Sequence, residues 1–134
     1  MDVVLLIGRI LFGILLVMSG IGHMTQTEMM SGYAESRGIR PGRPLVIISG
    51  LALIAGGLGI ILGIWIDLAA IGMAVLLILI ALGMHHFWTD EPDARGLDMI
   101  QFQKDLALAG SALILFAVYR GADLDTFLLT DPLF

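Results

Sequence analysis

LVIISGLALIAGGLGIILGIWIDLAAIGMAVLLILIALGMHHFW, residues 45–88, carries a single charged side chain, Asp67. As one continuous helix it would extend about 66 Å at about 1.5 Å per residue. That is roughly twice the 30 Å of hydrocarbon that an apolar helix of about 20 residues crosses. The stretch therefore reads as two membrane spans, 45–64 and 67–88. They divide at Gly63-Ile64-Trp65-Ile66-Asp67, where a glycine, an interfacial tryptophan and an acid suit a tight hairpin turn.

Two further spans flank this pair. Residues 3–24 are interrupted only by Arg9 and end at His23. Residues 106–119 are strictly apolar and reach spanning length when 102–105 are included, giving a fourth span over 102–119. The first segment lacks a basic n-region and a clear A-x-A site, so it reads as a retained helix rather than a cleaved signal peptide. Composition agrees: 58% of the 134 residues are hydrophobic and 14% charged, and the mean hydropathy is +0.97. A soluble domain carries about 25% charged residues, and a disordered chain is far less apolar. The expectation is an all-α integral membrane four-helix bundle, one domain over 1–134, with the lipid bilayer as its first partner. No cysteine is present, so no disulfide, thiolate metal site or CxxC centre is available. A net charge of −5 and a spaced Arg37, Arg40, Arg43 trio exclude a nucleic-acid footprint.

Polar segments join the spans. In 25–44, Met29, Met30, Tyr33 and Ala34 share one face of a short interfacial helix that Pro41 and Pro44 end. Residues 89–103 read as a polar loop. The tail, 120–134, is acidic but ends in apolar residues suited to the membrane surface or a partner. Gly59/Gly63, Ala52/Gly56, Ala70/Ala74 and Ala107/Ser111 are small-residue pairs that let helices approach. Five basic residues, Arg37, Arg40, Arg43, Arg95 and Lys104, lie on the side of the two polar loops, and two, Arg9 and Arg120, on the other. The positive-inside rule then places the loops in the cytoplasm and both termini outside.

Connectivity brings distant polar residues to one face: His23 at the end of the first span, His85, His86 and Trp88 at the end of the third, Lys104 and Asp105 at the start of the fourth. Polar groups at membrane depth are costly and often functional. An apolar slot with His85 or His86 as hydrogen-bonding partner, and Lys104 or Asp105 exchanging protons with water, suits a quinone. A haem would need two imidazoles, His23 with His85 or His86. A metal would recruit the histidines with Asp105 or Asp90, but adjacent histidines point about 100° apart on a helix. Structurally, the same histidines and tryptophan are at home in the interface, with Lys104 and Asp105 capping the fourth helix. At the opposite face, Arg9 lies about 10 Å into its span at about 1.5 Å per residue, with Asp67 and Asp2 as its expected partners.

Gly8-Arg9, Phe12, Ser19-Gly20, Tyr33, Gly38-Ile39, His85-His86-Phe87-Trp88 and the run from Gln101 to Gly110 make the chain similar to the DoxX family of small four-helix membrane proteins over nearly its whole length. The resemblance implies a setting more than a chemistry. Relatives include membrane subunits of a thiosulfate:quinone oxidoreductase, and a member that works in a membrane complex with superoxide dismutase and a sulfurtransferase-like thiol protein. It implies here an accessory membrane subunit of an oxidoreductase or electron-transfer complex, with a quinone contact from His23, His85, His86, Trp88, Lys104 and Asp105 and with other redox subunits as partners. The alternative is a purely structural subunit packing against a larger membrane complex; a small transporter lacks support, because no broken helix or repeated half is evident.

Overall fold

The computed structural model describes residues 2–121 (residue 2 by its backbone alone) and 127–134. Its described residues form five α-helices and no strand: α1 Asp2–Thr25, α2 Thr27–Ser36, α3 Gly42–Leu62, α4 Ile66–Met84 and α5 Pro92–Gly121, with a single 3₁₀ turn at Phe87–Thr89. Helices α1, α3, α4 and α5 are long and apolar enough to cross a membrane.

The bundle is built from two intimate antiparallel pairs. In the α1/α3 pair, Gly13 faces the carbonyl of Gly57, and Gly20 faces that of Gly50. Seven residues separate the glycines on each helix, so two backbone contacts recur on one seam. A Cβ on Gly57 would lie 2.8 Å from the Gly13 oxygen, too close for any side chain. On α1 the buried positions Arg9, Gly13, Leu16 and Gly20 follow the three- and four-residue steps of one helix face. Helices α4 and α5 meet through Ala70, Ala74, Ala109 and Ala112, all buried. Between the pairs, Met73 of α4 fills the notch at Gly56 of α3.

Of the small-residue pairs expected to pack, Ala70/Ala74 is buried, whereas Ala107 and Ser111 are exposed. Gly63 has a different task. It ends α3 in the left-handed conformation at φ 69°, which a glycine adopts without strain. Trp65 follows at φ 41° and α4 begins at Ile66, the hairpin expected from the sequence.

Two segments depart from expectation. Helix α5 begins at Pro92, so most of the stretch read as a polar loop is helical. Proline suits the first helical turn, where its missing N–H has no partner to lose. At about 1.5 Å per residue, α5 measures about 45 Å and carries its first turns beyond a bilayer's hydrocarbon. Helix α2 is present, but it buries Ser31 and Ala34 and leaves Met29 exposed. Its inward face is rotated because Gly42 admits it closely: a Cβ there would sit 2.6 Å from the Ser31 carbonyl.

The tail is packed on the chain's own hairpin end. The amides of Leu129 and Thr130 donate to the Gly63 carbonyl, those of Leu133 and Phe134 donate to Asp67 at 2.9 and 2.8 Å, and Leu128 packs against the core. This corrects the expected Arg9–Asp67 pair. Arg9, 1% exposed, donates instead to the carbonyls of Ile60, Ile61 and Phe127 and to the Tyr119 hydroxyl, at 2.9–3.1 Å. The last carbonyls of α3 lack intrahelical partners and carry the negative end of the helix dipole, so they take the guanidinium first. The side chain of Asp2 lies outside the described residues.

Candidate functional site

At the opposite end, α2 crosses the bundle and presents Tyr33 and Arg37, one turn apart, to α4 and α5. Arg37 forks onto Asp90 through Nη1 at 2.5 Å and Nη2 at 3.0 Å, and also pairs with Asp98. Its guanidinium carbon lies 5.2 Å from the Tyr33 ring centre, a cation–π distance. The Tyr33 hydroxyl donates to Asp98 at 2.7 Å and accepts from Arg37 Nε at 3.1 Å. Burial works against the charge on Arg37, yet its hydrogen bonds to Asp90 and Tyr33 outweigh that and hold the guanidinium above its ordinary pKa.

Helix α4 ends at Met84, and His85 is its C-cap residue. His85 Nδ1 lies 3.4 Å from Asp98 Oδ1, and Nε2 lies 3.8 Å from Asp105 Oδ2. Lys104 Nζ is 3.5 Å from Asp105 Oδ1 and donates to Gln101 at 2.6 Å. Asp98, Gln101 and Asp105 stand at i, i+3 and i+7, one stripe of α5. Phe87, Trp88 and Phe102 meet edge to face nearby, with ring centres 5.4–5.7 Å apart.

Tyr33, His85, Asp98, Gln101, Lys104 and Asp105 form one wall of a cavity of about 670 Å³ between the helix pairs. Leu16, Leu53, Leu77 and Leu108 line its apolar depth; His23, Tyr33, His85, Asp98, Gln101, Lys104 and Asp105 line its polar end. The volume falls within the roughly 300–1,000 Å³ typical of small-molecule sites. Leu79 also lines it and is 62% exposed. Lying five residues before Met84, it is about 8 Å deeper along α4 at about 1.5 Å per residue. Met29 and Leu97, on its lining at the loop end, are 65% and 66% exposed, so the exposed lining runs from the loop end to the depth of Leu79. His23 Nδ1 is 2.8 Å from the Ser19 carbonyl, to which it donates, and its side chain lines the cavity.

Four of the six residues singled out from sequence, His23, His85, Lys104 and Asp105, line this cavity. His86 and Trp88 do not. His86 Nδ1 approaches the Gly83 carbonyl at 3.0 Å and its ring lies 6.0 Å from that of Trp88. Asp90, weighed as a metal ligand, is taken by Arg37, and among the described residues no group of three His, Asp or Glu side chains is disposed to hold a metal ion. Tyr33, Asp98 and Gln101 were not singled out as site residues, nor were Arg37 and Asp90 as their support. The signal for Asp98 and Gln101 was the i, i+3, i+7 spacing with Asp105, which only a helix beginning well before 102 makes visible.

The DoxX family model matches residues 4–86. Inner membrane protein YqjF of Escherichia coli K12 is 33% identical over 123 residues, covering 90% of this chain and 88% of that protein. Inner membrane protein YphA of the same organism is 31% identical over 124 residues, covering 90% and 86%. No solved structure gives a significant match. With its four spanning-length helices, the chain is a multi-pass integral membrane protein.

Proposed function

Since this chain belongs to the DoxX family, we propose that it is an accessory membrane subunit of an oxidoreductase or electron-transfer assembly, and that its cavity takes a quinone-type ligand. The observation that carries this reading is the pairing of an apolar cavity depth with a polar end of both donors and acceptors. A quinone is a flat ring with hydrogen-bonding oxygens on an apolar tail. Lys104 Nζ and the Gln101 amide supply donors for a carbonyl oxygen. His23 Nε2 supplies an acceptor for a hydroxyl, and the leucines accommodate the apolar part. When bound, such a ligand supplies two-electron, two-proton chemistry. With no cysteine in the sequence, electron carriers and any sulfur chemistry belong to partner subunits.

The setting proposed is a bacterial or archaeal cytoplasmic membrane with both termini outside. The five basic residues near the cavity end against two at the hairpin end support that orientation.

Gentle solubilisation followed by lipid extraction and mass spectrometry tests the ligand. Wild-type protein is expected to carry a quinone, and Ser49→Phe, which fills the cavity from its α3 wall, to lose most of it. Equal quinone in the two proteins and in protein-free micelles overturns the reading. Redox subunits co-purifying with both proteins are the expected sign of the accessory role.

A further inference from the structure

The row Asp98–His85–Asp105 leads from the aqueous end of α5 into the cavity wall, and a neutral ring between two ionised carboxylates has a proton for only one of them. A neutral imidazole donates from one nitrogen and accepts at the other, whereas a carboxylate only accepts. Yet both ring nitrogens of His85 face carboxyl oxygens, Asp98 at 3.4 Å and Asp105 at 3.8 Å. Asp98 is 8% exposed and Asp105 4%, and both hold the ring at the polar end of the cavity. The charged surroundings settle which side is short. Asp98 is the anionic member of the Arg37 ion pair and accepts from Tyr33 as well. It is therefore the natural acceptor for the ring's Nδ1–H, since the hydrogen bond that one ring nitrogen makes sets which nitrogen carries the proton. Nε2 is left facing Asp105 Oδ2. Lys104 approaches the other oxygen of Asp105, Oδ1, and is partly engaged by Gln101. Asp90 is committed to Arg37, His86 to the Gly83 carbonyl and His23 to Ser19. None of these supplies a donor between Nε2 and Oδ2.

We infer that one additional proton is held between His85 and Asp105, making Asp98–His85–Asp105 a proton-carrying row in the cavity wall. The proton belongs to the pair rather than to either member, as coupled sites require. Closing the Nε2–Oδ2 gap to an ordinary hydrogen bond of about 2.9 Å takes a side-chain movement of about 1 Å. Passage then balances simply. One proton moves from Asp105 to Nε2 while the Nδ1 proton moves to Asp98, leaving the ring neutral in its other tautomer, Asp105 ionised and Asp98 protonated. The neighbouring Arg37 cation favours release of that proton from Asp98 to water; the row resets when Asp105 takes up one proton from the cavity side and the ring returns to its Nδ1–H form by exchange with water. Acid and histidine chains inside membranes are recurrent proton routes. The proton count rests on side-chain geometry alone; its use by a bound ligand rests on the reading above.

Nuclear magnetic resonance of ligand-free protein in lipid nanodiscs, labelled with ring-15N histidine and carboxyl-13C aspartate, tests the count near neutral pH. His85→Gln assigns the ring signals, and Asp105→Asn the carboxyl. The expected result is either a His85 ring protonated at both nitrogens or a singly protonated ring beside a protonated Asp105 carboxyl. A singly protonated ring with an ionised Asp105 overturns the inference, and wild-type spectra alone suffice to see it should a variant fail to fold. Because no ligand is present, absence of quinone in the extraction experiment leaves this result untouched, and the reverse also holds.

Discussion

Arg9 shows how a charge can be buried at one end of a membrane bundle without an acid. Its donors are spent on three carbonyls and one hydroxyl, two of those carbonyls belonging to the unsatisfied last turn of α3. Arg9→Met keeps much of the stem's packing and removes the donors. Leaving buried polar groups unsatisfied costs about 1–3 kcal/mol each. Arg9→Met is therefore expected to lower the thermal unfolding midpoint in detergent and to speed protease cleavage within residues 127–134. A midpoint and cleavage rate like those of the wild type would show that the clasp contributes nothing.

Among the elements, α1 and α3 depend on backbone contact and α2 on charge. Gly57→Ala puts a methyl group against the Gly13 carbonyl, a backbone atom that moves only with its helix. Overpacking of this kind costs about 1–3 kcal/mol, so Gly57→Ala should lower the unfolding midpoint. Gly72→Ala, whose Cβ meets nothing within 4 Å, should leave it unchanged or raise it. If both variants behave alike, the glycine seam is not what holds the pair. The spans were legible because length and apolarity alone decide them, and the 63–67 hairpin because glycine and tryptophan mark it. Helix α5's early start was hidden: Asp93, Arg95 and Asp98 make the segment polar, and polarity without an apolar stripe reads as loop. What orders it is tertiary, the tie of Asp98 to Arg37 and Tyr33 on α2. For the same reason Asp98 and Gln101 were missed while His23, His85, Lys104 and Asp105, placed by connectivity alone, were found.

On the scale of the whole molecule the two ends are unlike. The hairpin end is covered by the tail, whereas the cavity end is held by α2 through Arg37 and Tyr33. On the proposed orientation, a cysteine introduced as Ser36→Cys in this cysteine-free chain should react with a membrane-impermeant maleimide in inside-out vesicles and not in intact cells. Labelling in intact cells would reverse the orientation. The covered end also bears on biosynthesis. Residues 127–134 leave the ribosome after all four spans, so Asp67 waits in the membrane without the Leu133 and Phe134 amides, and Arg9 without the Phe127 carbonyl, until translation has passed them. A copy lacking residues 127–134 leaves the Asp67 carboxylate without its two amide donors and Arg9 without one of its acceptors.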